Sequence, residues 1–498
     1  MTFEAKLALS STYEVQFRRC AFLAILYSLP GWLTLNSASV IDHDVWSHLR
    51  TGQWILEHRW VPCTDPFSSY GMGKPWVAYS WLFEILIYGL FSRLGLIGLL
   101  VYVYASVLSI AAVLHSLVRK HRLRMAYSVP LTALALFAIA PLYTPRPWLF
   151  TILFFAIEFN ILVAVRNSRS YRLLLFLPLL FALWANVHIQ FVYGLFVLGL
   201  FTLEDPLNRL IRRTAANQEH DKALPVRRMV LITTACLVAT LVNPYHVRIY
   251  LVVLDYLRQP GLYNLIREYG AMDFRTASNW AVLFLVLAAT FVLGKRPRGG
   301  AVWILLLLTS VMFSFRSGRD VWFVVIIAIA LISSPTIAAR EKYVLSKIQI
   351  LVVVLAIGIL LVVAGLIGHV SEGNLRIAIA KTYPVDAASF VAEKGYQGPL
   401  YNHYNWGGYL IWRLPHLPVL IDGRTNIHDV ARVAHSLAVW NGQPGWASDP
   451  ELSAAHLVIA QENFALTQLL RLDPRLELVY EDQVAVVFIA KTSQKNQP

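Results

Sequence analysis

Long apolar segments recur along the chain, and they constrain its fold more than any other feature of the sequence. They are roughly 17 to 25 residues long, the length that a helix needs to cross a hydrocarbon core of about 30 Å. Charged residues make up only 14% of the sequence, whereas a soluble domain carries about 25%. We therefore expect a polytopic α-helical membrane protein. The eleven expected spans are 20–38, 95–118, 125–143, 148–165, 172–187, 190–204, 228–243, 279–294, 300–315, 321–339 and 346–368.

Basic residues indicate how these segments are oriented. The formal net charge is +14, and Lys and Arg concentrate in short loops between the apolar segments, as they do in cytoplasmic loops. These loops lie at 119–124, 166–172, 209–228, 295–298 and 340–347. All of them fall inside if residues 79–93 form an interfacial helix instead of a span. We expect a bacterial inner-membrane protein with a cytoplasmic N-terminus, an extracytoplasmic C-terminus and no nucleic-acid partner.

The loop at residues 39–78 is the polar segment that most strongly suggests chemistry. A connection between two helices needs only a short polar turn, yet this loop is long and rich in carboxylates, basic side chains and tryptophan. Its charged candidates are Asp42, Asp44, His48, Arg50 and Asp65. Such a loop indicates a reaction at the lipid interface. With the orientation above, the other polar motifs lie on the same outer side.

The composition after Gly368 becomes that of a soluble protein. Alternating strand-like and helix-like segments predict a small α/β domain over residues 370–491, after a membrane domain of residues 1–369 and before a polar end at 492–498. The expected strands are 399–404, 418–421, 456–460, 476–480 and 484–490, and the expected helices are 384–395, 429–440 and 463–472.

Two motifs in this tail are candidate binding elements. In Trp406-Gly-Gly-Tyr409, the two glycines permit a positive φ and the close approach of another backbone, and the aromatic rings can stack on a sugar or a peptide. The alternative is an aromatic-lined tight turn. Asp422 and Arg424 follow an expected strand, and they either bind a substrate or form an internal ion pair.

These motifs resemble those of the GT-C glycosyltransferase superfamily, in which a membrane helix leads into an outer first loop with Asp-x-Asp, here Asp42 and Asp44. Residues 44–58 are similar to the first loop of oligosaccharyltransferase catalytic subunits. Segments 406–409 and 422–426 resemble the Trp-Trp-Asp-Tyr-Gly motif and a downstream Arg and Asp-Asn segment of those subunits, with Gly407 or Gly408 in place of the acidic residue.

The chain also looks like uncharacterised bacterial membrane proteins that share three short signatures. These are Asp-Pro-Phe-Ser, Arg-Pro-x-Leu-Phe and Ile-Asp-Gly-Arg, here at 65–68, 146–150 and 421–424. The resemblance to GT-C enzymes implies transfer of a sugar from a polyprenyl-phosphate or diphosphate carrier to a glycan, lipid or protein acceptor at the outer leaflet.

This reaction needs a carboxylate that takes a proton from the acceptor or holds a cation against the phosphate. We assign that role to Asp44, with Asp42 second. The alternative is that one of them caps the helix beginning at Val45. If a cation such as Mg²⁺ or Mn²⁺ takes part, Asp44 and Glu268 are the expected ligands.

The remaining candidates are substrate-binding residues. Arg146 between two prolines, Arg316 and Arg319 suit a lipid phosphate, because guanidinium groups match phosphate oxygens; the alternative is snorkelling toward headgroups. In the first loop His48 and Arg50 follow Asp44, and Arg50 alternatively pairs with it. The full set of substrate-binding candidates is His48, Arg50, Asp65, Arg146, His188, Glu268, Arg316, Arg319, Trp406, Tyr409, Asp422 and Arg424.

Several of these residues have a structural alternative. Asp65 precedes Pro66 and can form a turn, and His188 can be a hydrogen-bonding residue between helices. A different class of function is also open, namely a lipid-linked glycan flippase or an envelope scaffold with an outer binding domain. A flippase should carry polar residues within its spans, where each charge costs about 2.5–3.5 kcal/mol, and such residues are sparse here.

Overall fold

The computed structural model describes residues 3–120, 123–168, 170–207, 224–259, 261, 265, 269–295, 300–334 and 345–491, with side chains from residue 14 onward. The chain forms two compact units. The first contains residues 1–39, 100–243 and 268–370, and the second contains 40–99, 244–267 and the chain from Ser371. The outer loop thus packs with the tail, whereas the sequence led us to group it with residues 1–369. The expected polar end at 492–498 lies outside the described residues.

The first unit is built from apolar helices, numbered here along the whole chain. They are α1 (Phe3–Thr34), α4 (Leu96–Arg119, whose first turn belongs to the second unit), α5 (Met125–Ala138), α6 (Trp148–Ser168), α7 (Leu177–Val187), α8 (Phe191–Thr202), α9 (Val226–Ala239), α11 (Ala277–Gly294), α12 (Ala301–Arg316), α13 (Val321–Ser333) and α14 (Lys347–Ile367). Each expected span overlaps one of these helices, although α1 ends at Thr34 and α13 at Ser333, before the expected ends of their spans.

Four of the described helices, α4, α6, α11 and α14, are long and apolar enough to cross a membrane. Shorter apolar helices cover Met125–Ala138, Tyr171–Val187, Phe191–Thr202 and Ala301–Arg316. Helix α13 is apolar on all sides because it lies in the core of the unit, where Trp322 packs on Phe155 of α6. The fold is a polytopic helical one, and the count of eleven spans remains a prediction.

The second unit combines the outer loop with the tail. Its helices are α2 (Val45–His58), α3 (Trp81–Leu94), α10 (Arg248–Arg258), α15 (Glu372–Ala380), α16 (Val385–Lys394), α17 (Gly407–Arg413), α18 (Val430–Trp440), α19 (Pro450–Ser453) and α20 (Ala465–Leu470). Helices α2 and α3 pack closely against each other, and α17 packs on α2. Helix α2 ends because Arg59 adopts the left-handed conformation, with φ 61°.

A four-stranded sheet forms the core of the tail. Its strands are β1 (Leu400–Asn402), β2 (Leu457–Gln461), β3 (Leu476–Glu481) and β4 (Ala485–Ala490), in the order β1-β2-β4-β3. Strand β1 is parallel to β2, and the other pairs are antiparallel. The expected α/β character of the tail is confirmed.

The expected strand at 418–421 is wrong, because the backbone partners of this segment come from the outer loop. The amide N of Val419 donates to the carbonyl O of Phe67 at 3.2 Å, and the amide N of Ser69 donates to the carbonyl O of Val419 at 2.9 Å. Apolar character predicted an extended segment correctly, but it did not identify what the segment pairs with.

The two glycines of the tail motif allow close packing inside a helix. Gly407 has φ −53° and ψ −47° and begins α17, so the expected positive φ is wrong. A Cβ on Gly407 would lie 2.1 Å from the carbonyl O of Ile421, and one on Gly408 would lie 2.7 Å from the carbonyl O of His43. The expected close approach of another backbone is confirmed.

Candidate active site

Asp42 and Asp44 have different surroundings at the start of α2. The amide N of Asp44 donates to Oδ1 of Asp42 at 2.9 Å, and Asp42 is buried. The carboxylate of Asp44, at the N-cap position, makes no capping hydrogen bond to α2. Asp42 thus forms a turn before α2, and the helix cap that the sequence offered as the alternative is not the arrangement observed. Asp44 remains the first catalytic candidate.

The carboxylate of Asp44 lies directly against the tail. A Cβ on Gly423 would stand 2.0 Å from its Oδ1, so only glycine leaves room for the carboxylate at this point. The hydroxyl of Tyr404 donates to the carbonyl O of Gly423 at 3.5 Å. The first loop and the tail are thus in contact within the second unit, next to the leading candidate residue.

His48 and Arg50 follow on α2 and have separate acidic partners. Nδ1 of His48 lies 2.9 Å from Oε1 of Glu84 on α3. Nη1 of Arg50 lies 3.4 Å from Oε2 of Glu57, so the ion pair of Arg50 with Asp44 that the sequence left open is not the one observed. Sequence reasoning missed Glu84, although a carboxylate inside the apolar segment 79–93 was a usable signal.

Arg424 connects the tail to the outer loop. Its Nε donates to Oδ1 of Asp422 at 2.8 Å and its Nη2 to Oδ2 at 2.7 Å, while its Nη1 donates to Oδ1 of Asp65 at 2.6 Å. The guanidinium also lies over the rings of Phe67 and Trp76. Of the two readings of Asp422 and Arg424, the internal ion pair is the one observed.

The same network explains the electrostatics of Asp422. Burial alone would raise the pKa of its carboxyl, but Arg424 and His428 outweigh that effect and hold the pKa well below its usual range. Asp65 in turn accepts from the amide N of Phe67 at 3.0 Å, which is the turn that the sequence offered as an alternative. Asp65, Asp422 and Arg424 therefore bind one another within the second unit.

The expectation that Trp406 and Tyr409 offer an exposed stacking surface is wrong. Trp406 is 1% exposed and Tyr409 is 3% exposed. Nε1 of Trp406 donates to the carbonyl O of Thr382 at 3.0 Å, and the ring of Tyr409 stacks on that of Tyr383 with centroids 5.1 Å apart. Burial raises the pKa of Tyr409 to about 12. The rings pack the tail against α2, with Tyr409 edge-on to Trp46.

The first unit gathers two of the expected arginines around one indole. Arg146 lies in the irregular segment before α6, as its flanking prolines predict, and its guanidinium is 4.7 Å from the ring centroid of Trp148. The guanidinium of Arg319 is 5.0 Å from the same centroid and donates to the hydroxyl of Tyr269 at 2.7 Å. Arg316 is exposed at the end of α12. The guanidinium groups of Arg146 and Arg319 beside one ring suit the binding of an anion such as a phosphate.

His188 and Asp320 are buried polar residues of the first unit. Nδ1 of His188 lies 2.7 Å from Oγ1 of Thr151, and His188 is 1% exposed. It is the hydrogen-bonding residue between helices that the sequence offered as the alternative to substrate binding. Nε2 of Gln190 donates to Oδ1 of Asp320 at 3.0 Å, and burial raises the pKa of Asp320 to about 6 although Arg319 opposes the shift.

Comparison with solved structures identifies the architecture. The archaeal oligosaccharyltransferase AglB from Archaeoglobus fulgidus, solved with an inhibitory peptide and a dolichol-phosphate, matches with a TM-score of 0.52 and 10% identity, over 89% of this chain and 69% of that one. The same organism's oligosaccharyltransferase tethered to an acceptor peptide with the NVT sequon gives a TM-score of 0.50, with the same identity and coverage. The chain has the GT-C fold.

Another solved structure is similar over most of its length. ArnT from Cupriavidus metallidurans bound to undecaprenyl phosphate, also a GT-C enzyme, has a TM-score of 0.48 and 13% identity, over 96% of this chain and 98% of that one. No family model and no curated protein matches the sequence. The resemblance to GT-C enzymes that the sequence motifs predicted is confirmed at the level of the fold.

The expected site for a divalent cation falls only partly within the described residues. Within the described ranges, no group of three or more His, Cys, Asp or Glu side chains is arranged to hold a metal ion. Asp44 is among these residues, whereas Glu268, the other expected ligand and substrate-binding candidate, lies outside them. The expected role of a divalent cation therefore stays a prediction.

Proposed function

We propose that this GT-C protein is a membrane glycosyltransferase that moves a sugar from a polyprenyl-phosphate or diphosphate carrier to an acceptor at the outer face of the membrane. The observation that carries the proposal is Asp44. Its carboxylate stands at the start of α2 and lies against Gly423 of the tail. We base the proposal on two features, the GT-C fold and a carboxylate at the contact between the first loop and the tail.

The donor side of the reaction needs cationic groups for the carrier phosphate. Arg146 and Arg319 at the ring of Trp148 supply two guanidinium groups, which match phosphate oxygens in geometry as well as in charge. AglB, whose fold this chain shares, was solved with a dolichol-phosphate. We assign the phosphate of the carrier to this pair, with Arg316 as an exposed accessory cation.

The transfer step follows from these assignments. An acceptor oxygen or nitrogen attacks C1 of the sugar, a new C1–acceptor bond forms, and the bond from C1 to the phosphate oxygen breaks. The electron pair leaves on the phosphate oxygen of the carrier. The acceptor loses one proton. The carboxylate of Asp44 either takes this proton or accepts a hydrogen bond from the acceptor while the proton departs.

Location follows from the charge distribution of the loops. We place the N-terminus in the cytoplasm of a bacterium and the second unit outside the inner membrane, where carrier-linked sugars meet glycan, lipid or protein acceptors. The positive-inside rule supports this orientation.

Sugar transfer by the purified protein tests the proposal. The protein is incubated in detergent or proteoliposomes with a membrane extract of radiolabelled carrier-linked sugars, and loss of label from the lipid fraction is followed. We expect release by the wild type, and loss of release with Arg146→Gln plus Arg319→Gln. A parallel reaction with chelator decides metal dependence. Wild-type protein without release from any carrier-linked sugar would contradict the proposal.

A further inference from the structure

A buried carboxylate stands behind the histidine of the first loop. Oε1 of Glu84 lies 2.9 Å from Nδ1 of His48, and the side chain of Glu84 is 5% exposed whereas that of His48 is 18% exposed. A carboxylate can only accept a hydrogen bond, so Nδ1 of His48 carries the hydrogen. In the neutral ring Nε2 is then the atom with an available lone pair.

The pair is held by tight helix packing. A Cβ on Gly52 would lie 2.0 Å from the carbonyl O of Glu84, so glycine lets α2 approach the backbone of α3 at this residue. The ring of His48 is edge-on to Phe83, with centroids 5.2 Å apart. Both partners therefore sit on helices, which hold a side chain more accurately than loops do.

His48 is also close to the candidate carboxylate along α2. Asp44 and His48 are four residues apart at the start of this helix, and residues with that spacing lie on one face with Cβ atoms about 5–6 Å apart. An acceptor group in contact with Asp44 is thus one helical turn from the imidazole.

We propose that Nε2 of His48 takes the proton of the acceptor and that Glu84 is the positioning residue that orients the imidazole. This inference rests on the proposed glycosyltransferase function. As the acceptor attacks C1 of the sugar, its proton moves to Nε2, the C1–phosphate bond breaks, and the electron pair leaves on the phosphate oxygen. The imidazolium charge is formed beside the Glu84 carboxylate, and the proton later passes to water.

This assignment separates the roles of the two residues on α2. Asp44 hydrogen-bonds and orients the acceptor, and His48 removes the proton. The arrangement is a histidine–carboxylate pair, in which the carboxylate fixes the tautomer and stabilises the charged ring. Sequence reasoning gave His48 only a role in binding, because its partner lies 36 residues away on another helix.

Chemical rescue tests the proton transfer. His48→Ala should lower kcat about 100-fold, as loss of a general base does, with little change in the acceptor KM. Added imidazole should restore part of the rate in His48→Ala but none in Asp44→Asn. His58→Ala is the matched control, because His58 is an exposed histidine of the same helix; it should keep the wild-type kcat and not respond to imidazole.

The positioning role is tested at Glu84. Glu84→Gln should lower kcat about 10-fold or more without raising the acceptor KM, since the orienting carboxylate is lost, and Glu84→Asp should recover part of the rate. Glu57→Gln on α2 is the control. If Glu84→Gln does not fold, as its Tm would reveal, the imidazole experiment still decides.

The outcomes also separate this inference from the proposed function. Full turnover in His48→Ala, or a His48→Ala enzyme that imidazole does not rescue, overturns the inference. If Asp44→Asn abolishes transfer in the same series, the glycosyltransferase function stands. A wild-type protein that transfers no sugar overturns both.

Discussion

Arg424 is the residue whose loss should cost the second unit most. It is 8% exposed at the side chain and binds the fully buried carboxylates of Asp65 and Asp422. Arg424→Met leaves both charges buried without a cation, and breaking a buried ion pair typically costs about 3 to 5 kcal/mol. We expect a correspondingly lower Tm. Arg475→Met is the control, because Arg475 is 46% exposed in its pair with Asp473 and such pairs contribute about 1 kcal/mol or less.

The same variant should change how stability depends on pH. A carboxyl whose pKa is lower in the folded than in the unfolded state stabilises the fold above the unfolded pKa, about 3.9 for Asp, and loses that contribution as the pH falls below it. The pKa of Asp422 is lowered in this way. The Tm of the wild type should thus decrease as the pH is lowered below about 4. The Tm of Arg424→Met should decrease less steeply. Parallel curves for the two proteins would contradict this account.

Glu158 is a carboxyl inside the apolar helix α6. It is fully buried, and among the described residues neither oxygen has a hydrogen-bond partner. A buried polar group without a partner costs about 1–3 kcal/mol in protein mutants. Glu158→Met has a similar length and should raise the Tm, whereas Glu158→Gln, which keeps a polar group there, should not. A lower Tm for Glu158→Met would mean that the carboxyl is stabilised in place.

At the scale of elements, the close approach of α17 to its neighbours depends on Gly407. In Gly407→Ala the new Cβ meets the carbonyl O of Ile421, which is backbone and cannot rotate away. We expect a loss of about 1 to 3 kcal/mol, the usual cost of overpacking, measured as Tm. Gly373→Ala in α15 is the control, because nothing lies within 4 Å of its Cβ position. Alanine should be neutral or slightly stabilising there.

Sequence patterns predicted an element well where the pattern depends only on that element's own residues. Apolar runs located the apolar helices, α2 begins at the expected residue, and α16 and α18 begin and end close to the expected residues. The segment at 418–421 was misassigned as a strand because a short apolar run with β-branched residues indicates an extended backbone but does not identify its partner. That partner is the outer loop, more than 340 residues earlier, as Ser69 and Val419 show.

The sequence indicated which residues form the candidate site, but it did not indicate the role of each residue. Asp44 was singled out because acidic residues in an outer loop are conspicuous, and it lies against Gly423 of the tail; its catalytic role stays a prediction. The ion pairs of Asp65 and Arg424 join residues 359 positions apart, and no local pattern encodes such a pairing. For the same reason we expected Trp406 to stack on a ligand, whereas its ring is packed inside the protein.

For the whole molecule, the native thiols offer a direct test of orientation. Cys63 of the outer loop is exposed, whereas Cys20 and Cys236 are buried. A membrane-impermeant maleimide should therefore label the wild-type protein at Cys63 in intact spheroplasts. Ser170→Cys in a Cys63→Ser background should react only after permeabilisation, since the positive-inside rule places that loop in the cytoplasm. Labelling of Ser170→Cys from outside would invert the topology.

The central claim is that the carboxylate of Asp44 takes part in sugar transfer at the outer face. The most direct measurement compares the turnover of one carrier-linked sugar by the wild type, Asp44→Asn and Asp42→Asn, once their Tm values have been shown to be equal. The account predicts a loss of about 100-fold or more in kcat for Asp44→Asn, and a smaller loss for Asp42→Asn, whose carboxylate holds the turn before α2. Full turnover by Asp44→Asn would contradict it.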